Sequence, residues 1–155
     1  MKAQIIVGSE MGTASGVAEY LRRELDQAER IDVNQSAGAA DLARDPDELL
    51  IFCTSNTGAG DLPTNLQALY AELLNSPPNI AGRPYLLINL GDSSYPTFGQ
   101  AGERLHAALQ DIGASPIAAP FLVDTSIDRY PQKTVLEWTR AEVSLFLGES
   151  AQSGA

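Results

Sequence analysis

The chain alternates short apolar runs with segments in which apolar residues recur at helical spacing. The runs that predict strands cover residues 3–8, 31–33, 49–54, 85–90 and 116–123. The helical patterns lie at about 13–29, 36–45, 63–76, 101–112 and 131–147, and the second is short and Ala-rich. This alternation predicts an α/β fold, a doubly wound five-stranded parallel sheet with helices on both faces.

Two prolines and the polar residues at the end of the chain refine the bounds of the predicted elements. Pro63 suits the first turn of the third helix, where the missing N–H costs nothing. Pro120 interrupts the last apolar run and predicts an edge position or a bulge for that strand. We expect one domain over residues 1–148 and a disordered tail over 149–155.

Composition narrows the class of protein. With 155 residues, 20 acidic and 10 basic, the chain has a formal net charge of −10, which argues against non-specific nucleic-acid binding and favours partners with basic surfaces. The single cysteine, Cys53, excludes an intramolecular disulfide and a multi-thiolate metal site, and its apolar neighbours predict that it is buried. No apolar run approaches the roughly 18 residues of a membrane span. The start of the chain does not resemble a signal peptide, so a cytoplasmic location is expected.

Three polar loops follow the strongest strands. They cover residues 9–14, 54–61 and 90–99, and all are rich in Gly, Ser, Thr and Asn. In a doubly wound sheet, ligands bind beyond the carboxyl ends of the strands, so these loops form the candidate site.

The first loop joins a strand directly to a helix. Backbone N–H groups at a helix N-terminus can hold a phosphate without a cationic side chain, and Ser9 and Thr13 can add hydroxyl donors. Gly12 permits close backbone approach. The alternative is an ordinary helix cap. The ATPase motif G-x-x-x-x-G-K-[ST] does not occur in the sequence, and neither does the dinucleotide-binding motif G-x-G-x-x-G.

The other two loops are open to two interpretations each. In the second, Gly58 and Gly60 allow positive φ, but a flexible loop before a Pro-started helix explains them equally well. In the third, Tyr95 either covers the edge of the core or stacks on a flat ligand. Asp92 either accepts hydrogen bonds from ring N–H groups or caps the turn.

Taken together, the three loops resemble those of the flavodoxin family. The first loop, Ser9-Glu10-Met11-Gly12-Thr13-Ala14, is a variant of the family's phosphate loop. The second loop is similar to the T-x-G-E-G-D pattern of diflavin reductases, and Leu90-Gly91-Asp92-Ser93-Ser94-Tyr95 with Phe98 is close to L-G-[DN]-x-x-Y-x-x-F. The likeness covers about residues 3–147 and is strongest to short-chain, MioC-type flavodoxins and to the FMN domains of diflavin reductases.

The resemblance implies strand order 2-1-3-4-5 and an FMN cofactor. The phosphate would lie in the first loop and the ring between the second and third, with Tyr95 stacked on it and the backbone near Thr57 close to its N5 atom. The site residues that the resemblance implies are Ser9, Glu10, Met11, Gly12, Thr13 and Ala14 of the first loop, Thr54, Ser55, Asn56, Thr57 and Gly58 of the second, and Leu90, Gly91, Asp92, Tyr95, Phe98 and Gly99 of the third.

Three residues depart from the family pattern. Met11 and Ala14 each replace a residue that would supply a hydroxyl donor, and Thr57 stands where an aromatic ring is common. Stacking on an aromatic ring is worth roughly 1–3 kcal/mol for a nucleobase. We therefore expect weaker FMN binding than in flavodoxins whose site has two aromatic walls.

The function implied is that of an electron carrier rather than an enzyme. It would shuttle low-potential electrons from an NADPH-dependent flavodoxin or ferredoxin reductase to an acceptor enzyme, such as a radical-SAM enzyme, as a monomer without nucleic acid or membrane. The net charge of −10 would disfavour a negatively charged reduced flavin, and Asp61, Asp124 and Asp128 are candidate docking charges.

Other functions stay open. They are an NAD(P)H:quinone oxidoreductase-like flavoprotein and an interaction module that has lost its flavin. A serine hydrolase is disfavoured because there is no G-x-S-x-G motif, and because the only histidine, His106, lies within a predicted helix.

Overall fold

The computed structural model describes residues 1–56 and 60–153, and within them the strands form one parallel sheet. The strands are β1 (Lys2–Gly8), β2 (Arg30–Asn34), β3 (Glu48–Ser55), β4 (Pro84–Gly91), β5 (Ser115–Pro116) and β6 (Phe121–Asp124). Their order is β2-β1-β3-β4-β5, and β6 also pairs with β4. The predicted fold class and the order 2-1-3-4-5 are therefore confirmed.

The helices cover both faces of the sheet. They are α1 (Thr13–Glu24), α2 (Ala39–Leu42), α3 (Thr64–Asn75), α4 (Gln100–Asp111) and α5 (Pro131–Ser153). Side chains alternate along each strand, so Ile5 and Ile51 join the core beneath α1 and α5, while Ile6 and Phe52 join the core beneath α2, α3 and α4. Burial on both faces explains why β3 and β4 are continuous apolar runs.

Three predicted boundaries differ from the structure. Pro120 divides the last run into β5 and β6, so two short segments occupy the fifth strand position beside β4. Helix α1 ends at Glu24, not near 29. Helix α5 continues to Ser153 and does not end near 147, because one glycine, Gly148, lowers helix propensity by only about 1 kcal/mol.

The carboxyl ends of β1, β3 and β4 meet at one edge of the sheet. Gly8 pairs with Thr54, and Ser55 pairs with Leu90, so the three polar loops leave the sheet side by side. Helix α3 packs directly on the end of β1, because a Cβ at Gly8 would lie 2.4 Å from Leu66 Cδ1. The edge that the sequence selected for a site is therefore formed by three adjacent strand ends.

Candidate functional site

The first loop leads into a helix N-terminus that no side chain caps. Gly12 is the N-cap of α1 and adopts the left-handed conformation, with φ 89° and ψ −6°. The Ser9 hydroxyl oxygen accepts the Gly12 N–H at 2.9 Å, which closes the loop and leaves the Ser9 proton available to donate. A Cβ at Gly12 would have no neighbour within 4 Å, so the backbone is open on that side. The α1 N-terminus can therefore receive an anion.

The first turn of α3 holds this loop in place through Asn65. Its Oδ1 accepts the Ser9 N–H at 3.1 Å, and its Nδ2 donates to the carbonyl oxygens of Val7 at 2.8 Å and Gln35 at 2.9 Å. Asn65 was not among the site residues predicted from the sequence. A polar side chain in the first turn of a helix that begins after Pro63 was the available signal, because such side chains readily bond to nearby backbone groups.

The Glu10 side chain is also hydrogen-bonded to the start of α3. One of its carboxylate oxygens, Oε1, accepts the Thr64 N–H at 2.7 Å and the Thr64 hydroxyl at 2.8 Å. The bonds from the Thr64 backbone and hydroxyl lower the pKa of this carboxyl. The α3 N-cap, Pro63, makes no side-chain cap, so Glu10 supplies the missing acceptor from another loop. Met11 beside it is 91% exposed.

The second and third loops are joined through Asn56. Its backbone N–H donates to Leu90 at 3.3 Å, its Nδ2 donates to the carbonyl of Thr97 at 3.2 Å, and its Oδ1 accepts the Ala101 N–H at 3.2 Å. Gly60 marks a second close approach, because its φ is +81° and a Cβ there would lie 2.8 Å from the Thr97 Cβ. The predicted site residues Thr57 and Gly58 lie outside the described residues.

Several predicted site residues are buried. Thr54 is fully buried and donates its hydroxyl to the Ser55 carbonyl at 3.0 Å. The remaining buried members of the predicted set are Ala14, Leu90, Gly91 and Gly99. These residues shape the loops from within the fold and are not exposed at the loop surface.

The third loop folds as a tight turn that leaves Tyr95 half exposed. Asp92 Oδ1 accepts the Ser94 N–H at 2.9 Å and the Ser94 hydroxyl at 2.6 Å, which is the turn-capping role considered for Asp92. The Tyr95 N–H donates to the Asp92 carbonyl at 3.1 Å, and the Tyr95 side chain is 52% exposed. About half of the Tyr95 side chain is therefore open to a ligand.

Phe98 supports the turn from behind. A Cβ at Gly91 would lie 2.7 Å from Phe98 Cδ2, so the ring lies directly against the start of the loop. Gly99 then begins α4 with φ 85° and ψ −6°, nearly the geometry of Gly12 at α1. The two loops enter their helices through the same left-handed glycine conformation, which a residue with a Cβ rarely adopts.

The described part of the chain gives little support for a metal site or for a nucleophilic cysteine. No group of three or more His, Cys, Asp or Glu residues in it could hold a metal ion. Cys53 is fully buried, as predicted, and burial raises the pKa of its thiol to about 12, so it is not a reactive nucleophile. His106 accepts or donates a hydrogen bond with the Tyr85 hydroxyl at 2.8 Å and lies half-buried on α4. No described helix is long and apolar enough to cross a bilayer.

Comparisons with known proteins agree with this fold. The family model described as flavodoxin matches residues 5–138. An uncharacterized protein of Pseudomonas aeruginosa is 33% identical over 141 residues, which are 89% of this chain and 93% of that protein. The solved structure of the C101A mutant of flavodoxin from Pseudomonas aeruginosa is 31% identical, with a TM-score of 0.81, and the match covers 93% of this chain and 99% of the flavodoxin.

Longer relatives are also similar. The NADPH-dependent diflavin oxidoreductase 1 of Xenopus laevis is 34% identical over 143 residues, which are 88% of this chain but only 23% of that protein. This chain thus spans about a quarter of the length of the diflavin oxidoreductases that it matches. Because the family model covers most of the chain, and because the fold and the strand order agree with it, the chain belongs to the flavodoxin family of FMN-binding electron carriers.

Proposed function

We propose that the three loops hold FMN at the carboxyl edge of the sheet. Ser9, Thr13 and the backbone N–H groups of residues 10–14 would bind the phosphate. The rest of the predicted set would surround the ring, with Tyr95 stacked on one face and the backbone of residues 90–92 at its polar edge. The observation that carries this proposal is that the uncapped N-terminus of α1 and the half-exposed ring of Tyr95 share one edge of the sheet.

The residues present fit the cofactor. A phosphate needs donors and space, and the α1 N-terminus offers free backbone N–H groups beside an open Gly12. The one carboxylate of the first loop, on Glu10, is bonded to Thr64, so it is held by α3. A flat ring needs an exposed aromatic surface, and Tyr95 supplies it.

The role of the chain's own residues would be to bind the FMN, orient its ring and shield it from water. When bound, FMN supplies one- and two-electron redox chemistry, which no side chain here offers. Asn56 bonds to Leu90, Thr97 and Ala101, so it would hold the start of the second loop at a fixed distance from the third loop. The buried residues beneath them keep the loops attached to a rigid sheet edge.

We further propose that the protein shuttles low-potential electrons from an NADPH-dependent reductase to an acceptor enzyme. The relatives named NADPH-dependent diflavin oxidoreductase support the reductase half of this scheme. The net charge of −10 supports a donor or acceptor with a basic docking face. Among the candidate docking charges, Asp61 pairs with Arg104 at 2.9 Å. Asp124 and Asp128 bond to neighbouring N–H and hydroxyl groups, so their side chains are held in fixed positions.

The test is electron transfer by the FMN-loaded protein in a stopped-flow instrument. With NADPH and a flavodoxin reductase, we expect the flavin absorbance to bleach, at a rate that falls with added salt because opposite charges steer the encounter. Without the reductase, we expect NADPH to be stable. Rapid NADPH oxidation by the purified protein with a quinone would instead favour the oxidoreductase alternative.

A further inference from the structure

The third loop is attached to the end of β6 and to the residues that follow it by a set of hydrogen bonds, three of which reach one carboxylate. Asp124 Oδ1 accepts the Ser93 N–H at 3.2 Å, the Ser126 N–H at 3.1 Å and the Ser126 hydroxyl at 2.6 Å. Beside it, the backbone N–H and the hydroxyl of Thr125 donate to the Gly91 carbonyl at 2.7 and 3.0 Å. We call these five residues the Asp124 clamp.

The clamp lies immediately before the turn that presents Tyr95. Gly91 and Asp124 are partners in the β4–β6 register, so the third loop begins where the clamp begins. Ser93 is two residues before Tyr95, and the turn between them is closed by the bond from the Tyr95 N–H to the Asp92 carbonyl. Fixing Gly91 and Ser93 therefore fixes the base of the turn on which Tyr95 stands.

The charge of Asp124 matters to this arrangement. An ionised carboxylate makes shorter and stronger hydrogen bonds than a neutral acceptor, and here one oxygen receives three donors. An aromatic ring that is already oriented loses less conformational entropy when a ligand stacks on it. From the sequence, Asp124 was expected to be a docking charge. In the structure, its carboxylate accepts hydrogen bonds that connect the third loop to the end of β6.

We propose that Asp124 is a positioning residue for the flavin, which acts by holding residues 91–93 so that Tyr95 is oriented for stacking. This inference rests on the proposed FMN site. It assigns to the last residue of β6 a part in cofactor binding that none of the three loop motifs contains.

The same connecting segment provides a matched control. Asp128 lies four residues after Asp124, and its carboxylate bonds to the Tyr130 N–H at 2.9 Å and to the Thr134 hydroxyl. Both partners belong to the start of α5 and its lead-in, not to the third loop. Asp128→Ala therefore removes one negative charge and two local hydrogen bonds from the same segment while leaving the attachment of the third loop intact.

The experiment is a double-mutant cycle on FMN affinity, measured by quenching of flavin fluorescence. Asp124→Ala should weaken FMN binding about five- to tenfold when Tyr95 is present and less than about twofold in the Tyr95→Ala background, because the two residues act as one unit. Asp124→Asn, which keeps an acceptor oxygen without the charge, should fall between wild type and Asp124→Ala. Asp128→Ala should change the affinity less than about twofold.

Two further readouts separate positioning from a loss of structure. At saturating FMN, the visible circular dichroism of the bound flavin should change in Asp124→Ala and stay as in wild type in Asp128→Ala. In the apoprotein, hydrogen exchange at the Ser93 amide should accelerate in Asp124→Ala, while thermal unfolding reports whether each variant is folded. If Asp124→Ala does not fold, the cycle is run with Asp124→Asn.

Equal weakening of FMN binding by the Asp124 substitution in both backgrounds would overturn the inference and leave the proposed function standing. So would an unchanged Ser93 exchange rate in the apoprotein. A wild-type protein that binds no FMN would overturn the proposed function, and with it the role of Asp124 toward the flavin.

Discussion

The carboxylate of Glu10, in the first loop, accepts both the backbone N–H and the hydroxyl of Thr64, the first residue of α3. An acidic side chain thus caps a helix that lies 54 residues further along the chain. This bond joins the candidate phosphate loop to the segment that follows the second loop, so the two loops cannot separate without losing it.

Replacing Glu10 should destabilise the apoprotein through α3. Glu10→Ala removes the acceptor for the first N–H of α3, whereas Glu10→Gln keeps an acceptor oxygen at the same place. We expect the Tm to fall by a few degrees in the first variant and by less in the second, measured by circular dichroism. Glu19→Ala is the control, because Glu19 makes only an exposed ion pair with Arg22. A Tm that is lowered equally by Glu19→Ala would contradict this role.

Asn56 should stabilise the protein by joining the second and third loops. Asn56→Ala removes one bond to Thr97 and one to Ala101, both of neutral groups, and we expect a loss of about 1–2 kcal/mol in the free energy of unfolding. Urea unfolding of the apoprotein measures it. Asn75→Ala, at the exposed end of α3, should change the free energy by less than about 0.5 kcal/mol. Equal effects of the two substitutions would count against the proposed link.

Two glycines should respond to the same substitution with opposite signs. A Cβ at Gly91 would lie 2.7 Å from Phe98 Cδ2, so Gly91→Ala must displace the ring and should cost about 1–3 kcal/mol. A Cβ at Gly16, inside α1, meets nothing within 4 Å, so Gly16→Ala should stabilise by about 0.5–1 kcal/mol through helix propensity. Urea unfolding tests both. A neutral Gly91→Ala would show that Phe98 is not held against the loop.

The Asp124 clamp should contribute stability in a defined range of pH. The hydrogen bonds from Ser126 and Ser93 lower the pKa of the Asp124 carboxyl to about 2, from an ordinary value of 3.8. Since the folded pKa lies below the unfolded one, the stabilisation is present above about pH 4 and is lost as the pH falls toward 2. The difference in unfolding free energy between wild type and Asp124→Asn should therefore shrink over that range. A difference that stays constant from pH 6 to pH 3 would contradict the assignment.

The sequence predicted the sheet well because β3 and β4 are buried on both faces. Such strands are continuous apolar runs, and their polar continuations mark the strand ends where a site forms. The second helix was harder, because α2 is a single turn, Ala39–Leu42, with too few residues to establish a period. The predicted end of α5, near residue 147, was too early. Gly148 and the polar residues after it suggested that the helix ends there, but the helix continues to Ser153.

The side-chain contacts that hold the loops in place could not be predicted from the hydrophobic pattern or from the motifs. Asn65 bonds to Ser9 across 56 residues, and Asp124 bonds to Ser93 across 31 residues. Neither pair has a local signature, because each depends on which strand ends the topology places side by side. Glu10 was included among the site residues for its position in the loop, but its carboxylate in fact reaches α3. Motifs thus located the loops, while the side chains that fix them emerged only from the fold.

An absorption and fluorescence titration of the apoprotein with FMN tests the central claim most directly. We predict saturable one-to-one binding with quenched flavin fluorescence and a Kd that is nanomolar or weaker, because Thr57 stands where a second aromatic ring would add roughly 1–3 kcal/mol of stacking. A subnanomolar Kd would contradict the expected affinity. A flavin spectrum and fluorescence that stay those of free FMN throughout the titration would contradict the site itself.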